Sequence, residues 1–544
     1  MSDRGTDLPQ EKKSTAGPTL ELTRLEIGLG SRRLQLDQRC VLQAGRLYLV
    51  MGPSGSGKST FARAMLGFGQ LSDPVTPCAG QVTLKDAAGK PLAIWKGDTY
   101  NPAARSHIAF LPQSEKLGFI DALSVTDNLT LFSSLDSAKA KQEIDRLAAR
   151  FRLRPVPRQL ANASGGERIR MSAVRGLLPR ETIGKMPEVI IADEPTAALD
   201  PASGAAMARS LIELAESGAC IVIVITHEPE TFIDVAPLDD HAHDEAAQII
   251  ECRLENVATQ KHSLVPLARL RLKDVPQANS QLAGYQTRAA GALRQLGAFA
   301  LAPLAFVWGL FGLHRPLFLL RQIVWDSIGV GTHVFSLLGC LLIAGTAAYF
   351  IFERLPKPEL LDPLLLPEMM IMVGHTLVRA ILPLGACGLI TTKLGAAQAA
   401  RLAAATRGGL LETLALARWR VEAYALVPAV LAQILAMAIG AALALVCGVV
   451  LAGLVYVAGH QEASLSLTVN LMLDGLDRAP NWSNYLIAKV IVSGFLGGTI
   501  AALCGIVPSA AKDDLARAVH RTLLWSVLAV IACQCAFVIA EFRP

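Results

Sequence analysis

The run Gly52-Pro53-Ser54-Gly55-Ser56-Gly57-Lys58-Ser59-Thr60 has the spacing of a phosphate cradle. Its glycines let backbone N–H groups approach an anion, and the helix that follows offers the positive end of its dipole. Lys58 is placed to reach the β- and γ-phosphates of a nucleoside triphosphate, and the Ser59 hydroxyl to bind Mg2+. Farther along, Val189-Ile190-Ile191-Ala192 runs directly into Asp193 and Glu194, the pattern of a buried strand ending in two carboxylates. Asp193 suits the Mg2+ shell, and Glu194 suits positioning or deprotonation of an attacking water. Acidic pairs at strand ends are common; it is the conjunction with the phosphate cradle that points to nucleotide chemistry.

These residues need a scaffold that holds several strand ends side by side. Residues 20–255 alternate short apolar runs with polar loops. Leu47–Met51 is a β-like run ending in the glycine-rich loop, and Val189–Ala192 and Ile221–Thr226 are β-rich. The pattern predicts an α/β domain with a largely parallel sheet. Residues 1–19 are a polar tail without a following apolar h-region, so no cleaved signal peptide is expected and the N-terminus is expected in the cytoplasm. Residues 256–284 are polar and read as a linker, and residues 285–544 as a separate membrane domain.

Composition supports that division. Over 544 residues, 52% are hydrophobic and only 18% charged, against about 25% charged in soluble globular proteins. This excludes a disordered chain, a coiled coil and a fully soluble enzyme. A net charge of +5 is too small for this length to suggest nucleic acid. The ten cysteines form no CxxC pair and read as reduced. His241 and His243 read as solvated loop residues rather than metal ligands.

Gln286–Leu313 is apolar, interrupted by Pro303, and is expected to lie in the membrane interface. Five spans are expected at Ser327–Phe352, Met369–Thr392, Ala423–Gly459, Tyr485–Val507 and Thr522–Ala540. Ala423–Gly459 is too long for one upright helix. With the N-terminal domain inside, the inner segments carry Arg401, Arg407, Arg418, Arg420, Lys512, Arg517 and Arg521, and the outer loops only Arg354, Lys357 and Arg478, in agreement with the positive-inside rule. Two cations lie within spans. Arg379 stands near the middle of the second, about 15 Å from either end at 1.5 Å per residue. Lys489 stands near the outer end of the fourth, within snorkelling reach of the interface. Intramembrane charges mark candidate substrate contacts, with a structural ion pair or backbone contact as the alternative.

Ala163-Ser164-Gly165-Gly166-Glu167 resembles the signature motif of ABC transporters, with Glu167 where that family most often has Gln. The resemblance extends to Gln113 in Phe110-Leu111-Pro112-Gln113, to Ala198-Leu199-Asp200, and to His227 in Ile225-Thr226-His227-Glu228, in the family's order. It implies that Gln113 contacts Mg2+ and the coupling interface. Ser164, Gly165 and Gly166 would meet ATP held by another subunit, His227 would meet the γ-phosphate of its own site, and Asp200 would border the nucleotide. The family's adenine-stacking aromatic is lacking from Ile27-Gly28-Leu29-Gly30. In the membrane half, Leu377-Val378-Arg379-Ala380-Ile381-Leu382-Pro383, Thr391-Thr392-Lys393-Leu394-Gly395, Glu412-Thr413-Leu414-Ala415-Leu416 and Tyr424–Ala432 are similar to MlaE-type permeases. That family often has Arg-Glu-Leu-Gly-Pro where this chain has Arg379-Ala380-Ile381-Leu382-Pro383. This second resemblance implies lipid transport with an MCE-domain periplasmic partner, and a segment around 401–424 that couples to the ATPase.

Together the readings give an α/β P-loop ABC ATPase domain followed by an all-α transmembrane domain of one interfacial helix and five spans. The implied protein is a homodimeric transporter of lipid, with ATP and Mg2+ as cofactors, in the bacterial inner membrane. An exporter of a small hydrophobic compound and a mechanotransmitting ATPase are the alternatives.

Overall fold

The computed structural model describes residues 17–542 except 30–31, 37–38, 53–55, 68–77, 98, 114–117, 121–122, 134, 154, 158–159, 180–184, 198, 236–246, 254–265, 275–296, 312–323, 325–328, 355–365, 418, 461–462, 475, 477–480 and 507–513. Pro53, Ser54, Gly55, Ala198, His241, His243, Arg418, Lys512 and the start of the expected interfacial segment therefore lie outside the described residues. The chain forms two compact units, Met1–Ser280 and Gln281–Pro544.

In the first unit, β4 (Leu47–Met51), β8 (Ile108–Leu111), β9 (Val189–Asp193) and β10 (Ile221–Ile225) are almost entirely buried. Strands covered on both faces read as continuous apolar runs, which is why LYLVM, IAFL, VIIAD and IVIVI stand out in the sequence. They pair in parallel in the order β4-β10-β9-β8. The parallel part continues through β11 (Ala247–Arg253), beside β4, and β12 (Pro266–Asp274), beside β11. The rest is antiparallel: β1 (Thr19–Leu29) pairs with β2 (Arg32–Leu36), β3 (Cys40–Gln43) and β5 (Cys78–Lys85). Beyond β5 lie β6 (Pro91–Lys96) and β7 (Thr99–Tyr100). The sheet is thus mixed rather than largely parallel.

The segment 256–284, expected as a linker, carries β12, which joins β11 in parallel and β2 in antiparallel register, Leu270 opposite Leu36 and Leu272 opposite Leu34. Its signal was present: Ala268, Leu270 and Leu272 alternate with Arg269, Arg271 and Lys273, the period of two that a strand requires. Among the helices of the unit are α1 (Lys58–Met65), α2 (Ser137–Arg150), α3 (Gly165–Leu177) and α4 (Pro201–Glu216). Ile144, Leu147, Val174, Leu177, Met207 and Leu211 from three of these helices share one core with β4, β8, β9 and β10.

Among the described residues, the second unit contains five helices long and apolar enough to cross a membrane: Val330–Phe352, Pro367–Arg407, Glu422–Gly459, Trp482–Ile506 and Leu515–Glu541. They overlap the five expected spans, but the second runs 15 residues past Thr392, to Arg407. At 1.5 Å per residue its 41 residues reach about 60 Å, twice the hydrocarbon thickness. It stays helical by passing through two π-helical segments, Leu377–Ile381 and Thr391–Gly395. The third span opens on a π segment, Glu422–Leu426, and runs unbroken to Gly459. Within the expected interfacial segment, α5 (Ala302–Leu310) places Leu301, Leu304, Trp308 and Phe311 on an exposed face. Arg420 fixes it by donating to the Trp308 carbonyl at 2.8 Å, with its guanidinium 4.2 Å from the Trp308 ring centroid. Close helix approach relies on small residues, as expected where lipid removes the hydrophobic drive between helices. Gly498 of span four packs so tightly that a Cβ would lie 2.5 Å from Val430 Cα of span three.

Candidate nucleotide site

Ligands of parallel α/β sheets bind beyond the carboxyl ends of the strands. Here four such ends converge. β4 runs into the glycine-rich loop, β9 ends on Asp193 and passes to Glu194, Thr226 and His227 follow β10, and Gln113 follows β8 by two residues. Gly57, with φ +93°, precedes α1 in a left-handed conformation that glycine adopts without steric cost. Lys58, the first residue of α1, is buried, and its Nζ donates to the Gly52 carbonyl at 2.7 Å. Ser59 Oγ donates to Asp193 Oδ1 at 3.1 Å. Ser56 Oγ is buried without a hydrogen-bond partner among the described residues, which suits a loop built to meet phosphate oxygens. Thr60 follows on α1, half-buried.

Glu194 is the centre of the group. Its backbone takes φ +50°, a left-handed conformation costing a non-glycine residue about 1–2 kcal/mol. The N–H of Glu194 donates to the Ile225 carbonyl of β10 at 2.9 Å, which holds the turn. Its carboxylate accepts from Gln113 Nε2 at 3.0 Å through Oε2 and lies 3.1 Å from His227 Nδ1 through Oε1. The structure thus brings Lys58, Ser59, Gln113, Asp193, Glu194 and His227 into one cluster. The chain after Gln113 is anchored by two buried side chains. Arg175 of α3 donates to the Gly118 carbonyl at 3.2 Å, and Asn128 accepts from the Ile120 N–H at 2.8 Å.

Ser164, Gly165 and Gly166 stand elsewhere, at the N-terminus of α3. Ser164 is an exposed N-cap closed by a capping box: Glu167 N donates to Ser164 Oγ at 3.2 Å, and Ser164 N donates to Glu167 Oε2 at 2.8 Å. Those bonds from Ser164 hold the Glu167 carboxyl below its ordinary range. Glu167 fills this acceptor role, which the commoner glutamine would also fill through its amide oxygen. Gly165 is open, since a Cβ there would meet nothing within 4 Å. Asp200 caps α4, accepting from Ser203 N at 3.0 Å, and bonds from Ser203 hold its carboxyl below the ordinary range.

In the membrane unit, Arg379 and Lys489 are brought together by a residue that sequence reasoning did not mark. Arg379 Nε donates to Glu541 Oε1 at 2.6 Å, Lys489 Nζ donates to Glu541 Oε2, and Lys489 Nζ also donates to the Arg379 carbonyl at 2.5 Å. Lys489 and Glu541 side chains are 1% exposed and Arg379 10%. Lys489 therefore does not snorkel, and Arg379 stands level with the end of span five rather than midway along the bundle. Counting from the ends of an apolar stretch misplaced it because the helix extends well beyond that stretch. Glu541 drew no attention because it stands just past an apolar run, 162 residues from Arg379.

The "ABC transporter" family model matches residues 37–197, and the "Permease MlaE" model matches residues 324–540. The lipoprotein-releasing system ATP-binding protein LolD of Idiomarina loihiensis is 31% identical over 194 residues, 34% of this chain and 76% of that protein. The phosphate import ATP-binding protein PstB of Aeropyrum pernix is 30% identical over 203 residues, 35% of this chain and 72% of that protein. Among solved structures, the dimeric structure of MJ0796, a bacterial ABC transporter cassette, is 22% identical with a TM-score of 0.32, covering 43% of this chain and 94% of that one. The chain binds ATP and hydrolyses it in a reaction coupled to transport, and its second unit makes it a multi-pass membrane protein. It belongs to the ABC transporter family, with an ABC ATPase domain and an MlaE-type permease domain joined in one polypeptide.

Proposed function

We propose that the protein is a homodimeric half-transporter that uses ATP to move lipids, phospholipids in particular, at the bacterial inner membrane, working with an MCE-type periplasmic partner. The observation that carries the reading is the division of the nucleotide machinery within one chain. Lys58, Ser59, Gln113, Asp193, Glu194 and His227 form one group, while Ser164 and Gly165 stand exposed and Gly166 half-buried at the start of α3. Two copies facing each other would build two sites, each closing the phosphate group of one copy with the helix N-terminus of the other. That N-terminus offers backbone donors and a positive dipole to the γ-phosphate.

The donors present fit Mg2+, which takes hard oxygen ligands and relies on substrate phosphates more than on a protein cage. Ser59 Oγ and Asp193 would hold it. Gln113 turns Nε2 toward Glu194, leaving Oε1 as a third oxygen. When bound, the ion neutralises charge on the β- and γ-phosphates. Lys58 holds those phosphates, Glu194 orients the attacking water, and Gln113 and His227 fix the Glu194 carboxylate. Lipid as cargo rests on the MlaE-type permease domain, and orientation on the cationic inner segments.

The test is reconstitution in liposomes with a labelled phospholipid. The expected result is ATP-dependent movement of the label that is absent in Glu194→Gln. ATP-dependent movement of small hydrophobic dyes with the phospholipid left in place would overturn the lipid assignment.

A further inference from the structure

We propose that Arg379 and Lys489 form a receptor for a phosphodiester head group, and that Glu541 is the intramolecular anion occupying it until the lipid displaces it. The inference rests on the lipid reading above.

Among the described residues, two cations and one carboxylate share a site that is nearly inaccessible, so this cluster keeps one net positive charge. Buried charge in a membrane protein is costly unless paired, and such a surplus marks a place that accepts a further anion or exchanges the one it holds. Glu541 spreads its two oxygens over both cations, Oε1 to Arg379 and Oε2 to Lys489. A phosphodiester offers two anionic oxygens to the same donors, and a guanidinium matches phosphate geometry well. Lys489 is aimed by a second bond, to the Arg379 carbonyl within the π segment Leu377–Ile381, so it holds its place when the carboxylate leaves.

The occupant is built to leave. Glu541 is the final residue of span five, and Phe542 follows with its ring centroid 4.1 Å from the Arg379 guanidinium. Releasing the carboxylate breaks its bonds to Arg379 and Lys489, which an incoming anion would replace, and the backbone movement is confined to the last helical turn, where helix ends open at low cost. Alternation of the five spans puts Pro367, Trp482 and Glu541 on one side of the membrane, the outer side in the orientation proposed above. The head group would enter there, where a periplasmic partner would hand lipid over or take it.

The experiment uses the full-length protein in nanodiscs. It measures retention of phosphatidylglycerol, of phosphate-free diacylglycerol, and of inorganic phosphate as competitor. A site occupied by its own anion about 90% of the time has its apparent affinity lowered about tenfold. Glu541→Gln is therefore expected to raise phosphatidylglycerol retention roughly tenfold, leave diacylglycerol unchanged, and lose the gain when combined with Lys489→Met. Where Glu541→Gln does not fold, Glu541→Asp keeps the charge but shortens the reach, and retention should rise about threefold on the same reasoning. A folded Glu541 variant with wild-type retention, or one gaining diacylglycerol equally, overturns the receptor. Displacement by millimolar inorganic phosphate alone would make free phosphate the ligand and overturn the lipid assignment of the site. Wild-type protein that transports phospholipid while both Glu541 variants behave like it defeats only the receptor. Protein that neither binds nor moves phospholipid defeats the transport reading.

Discussion

Glu194 carries more of the catalytic account than any other side chain, and its geometry separates two kinds of failure. Its left-handed backbone directs the carboxylate between Gln113 and His227, whereas Lys58 sits against the phosphate loop. Replacing Glu194 by Gln keeps shape and hydrogen bonding but removes the charge that, in the proposed mechanism, orients water. Turnover should fall at least about 10²-fold, the usual scale for a general base, with ATP binding retained. Lys58→Ala should weaken binding itself. Phosphate release and equilibrium binding of a fluorescent ATP analogue distinguish the two, and unchanged turnover in Glu194→Gln would remove it from the mechanism. Away from the site, Glu188 is buried, lies 2.5 Å from His107 Nδ1, and pairs with Lys185. Burial raises its pKa, but these partners outweigh burial and hold the carboxyl below its ordinary value of 4.5. A depressed carboxyl stabilises the fold above its unfolded-state pKa, and that contribution is lost as pH falls through the folded value. The melting-temperature gap between wild type and Glu188→Gln should thus be full at pH 7 and narrow as pH falls below the ordinary value of 4.5; a constant gap would show that ionisation plays no part.

Elements were legible where a pattern is local and hidden where it depends on distant partners. The apolar strands β4, β9 and β10 and the five spans are visible because each carries its own run. β12 has a strand's alternation, but its nine residues amid polar sequence give too little contrast until β2 and β11 are seen on either side. The extent of span two was also obscured. Its continuation, Lys393 to Arg407, is polar enough to resemble a loop yet forms π and α turns without interruption. Helix spacing gives a direct check. A Cβ at Gly498 would strike Val430 Cα at 2.5 Å and the Ala429 carbonyl at 2.8 Å, whereas one at Gly388 meets nothing within 4 Å. Backbone cannot retreat as a flexible side chain can, and overpacking costs typically about 1–3 kcal/mol. Gly498→Val should therefore abolish a monodisperse peak in size-exclusion chromatography while Gly388→Ala elutes as wild type. Equal behaviour of the two would contradict the close approach of spans three and four.

At the scale of the molecule, the grouping of the candidate nucleotide residues was legible almost residue by residue, because phosphate binding demands particular residue types at fixed spacing. Lys58, Ser59, Gln113, Asp193, Glu194 and His227, named from four separate stretches of sequence, meet in one cluster. The membrane chemistry was legible only in part. Arg379 and Lys489 stand out as charges in apolar runs, but their shared carboxylate comes from the far end of the chain. The central claim is that two chains complete each ATP site, and mixing defective chains tests it most directly. Lys58→Ala spoils the phosphate side and Ser164→Arg the signature side, so each variant alone makes two defective sites. A mixed dimer places both defects in one site and leaves the other whole. With subunits co-expressed on different tags and the mixed dimer isolated by tandem purification, ATPase activity should reappear at up to about half of wild type, each dimer holding one intact site of two. A mixed dimer as inactive as either parent, or wild-type activity eluting with monomers in native mass spectrometry, would contradict it.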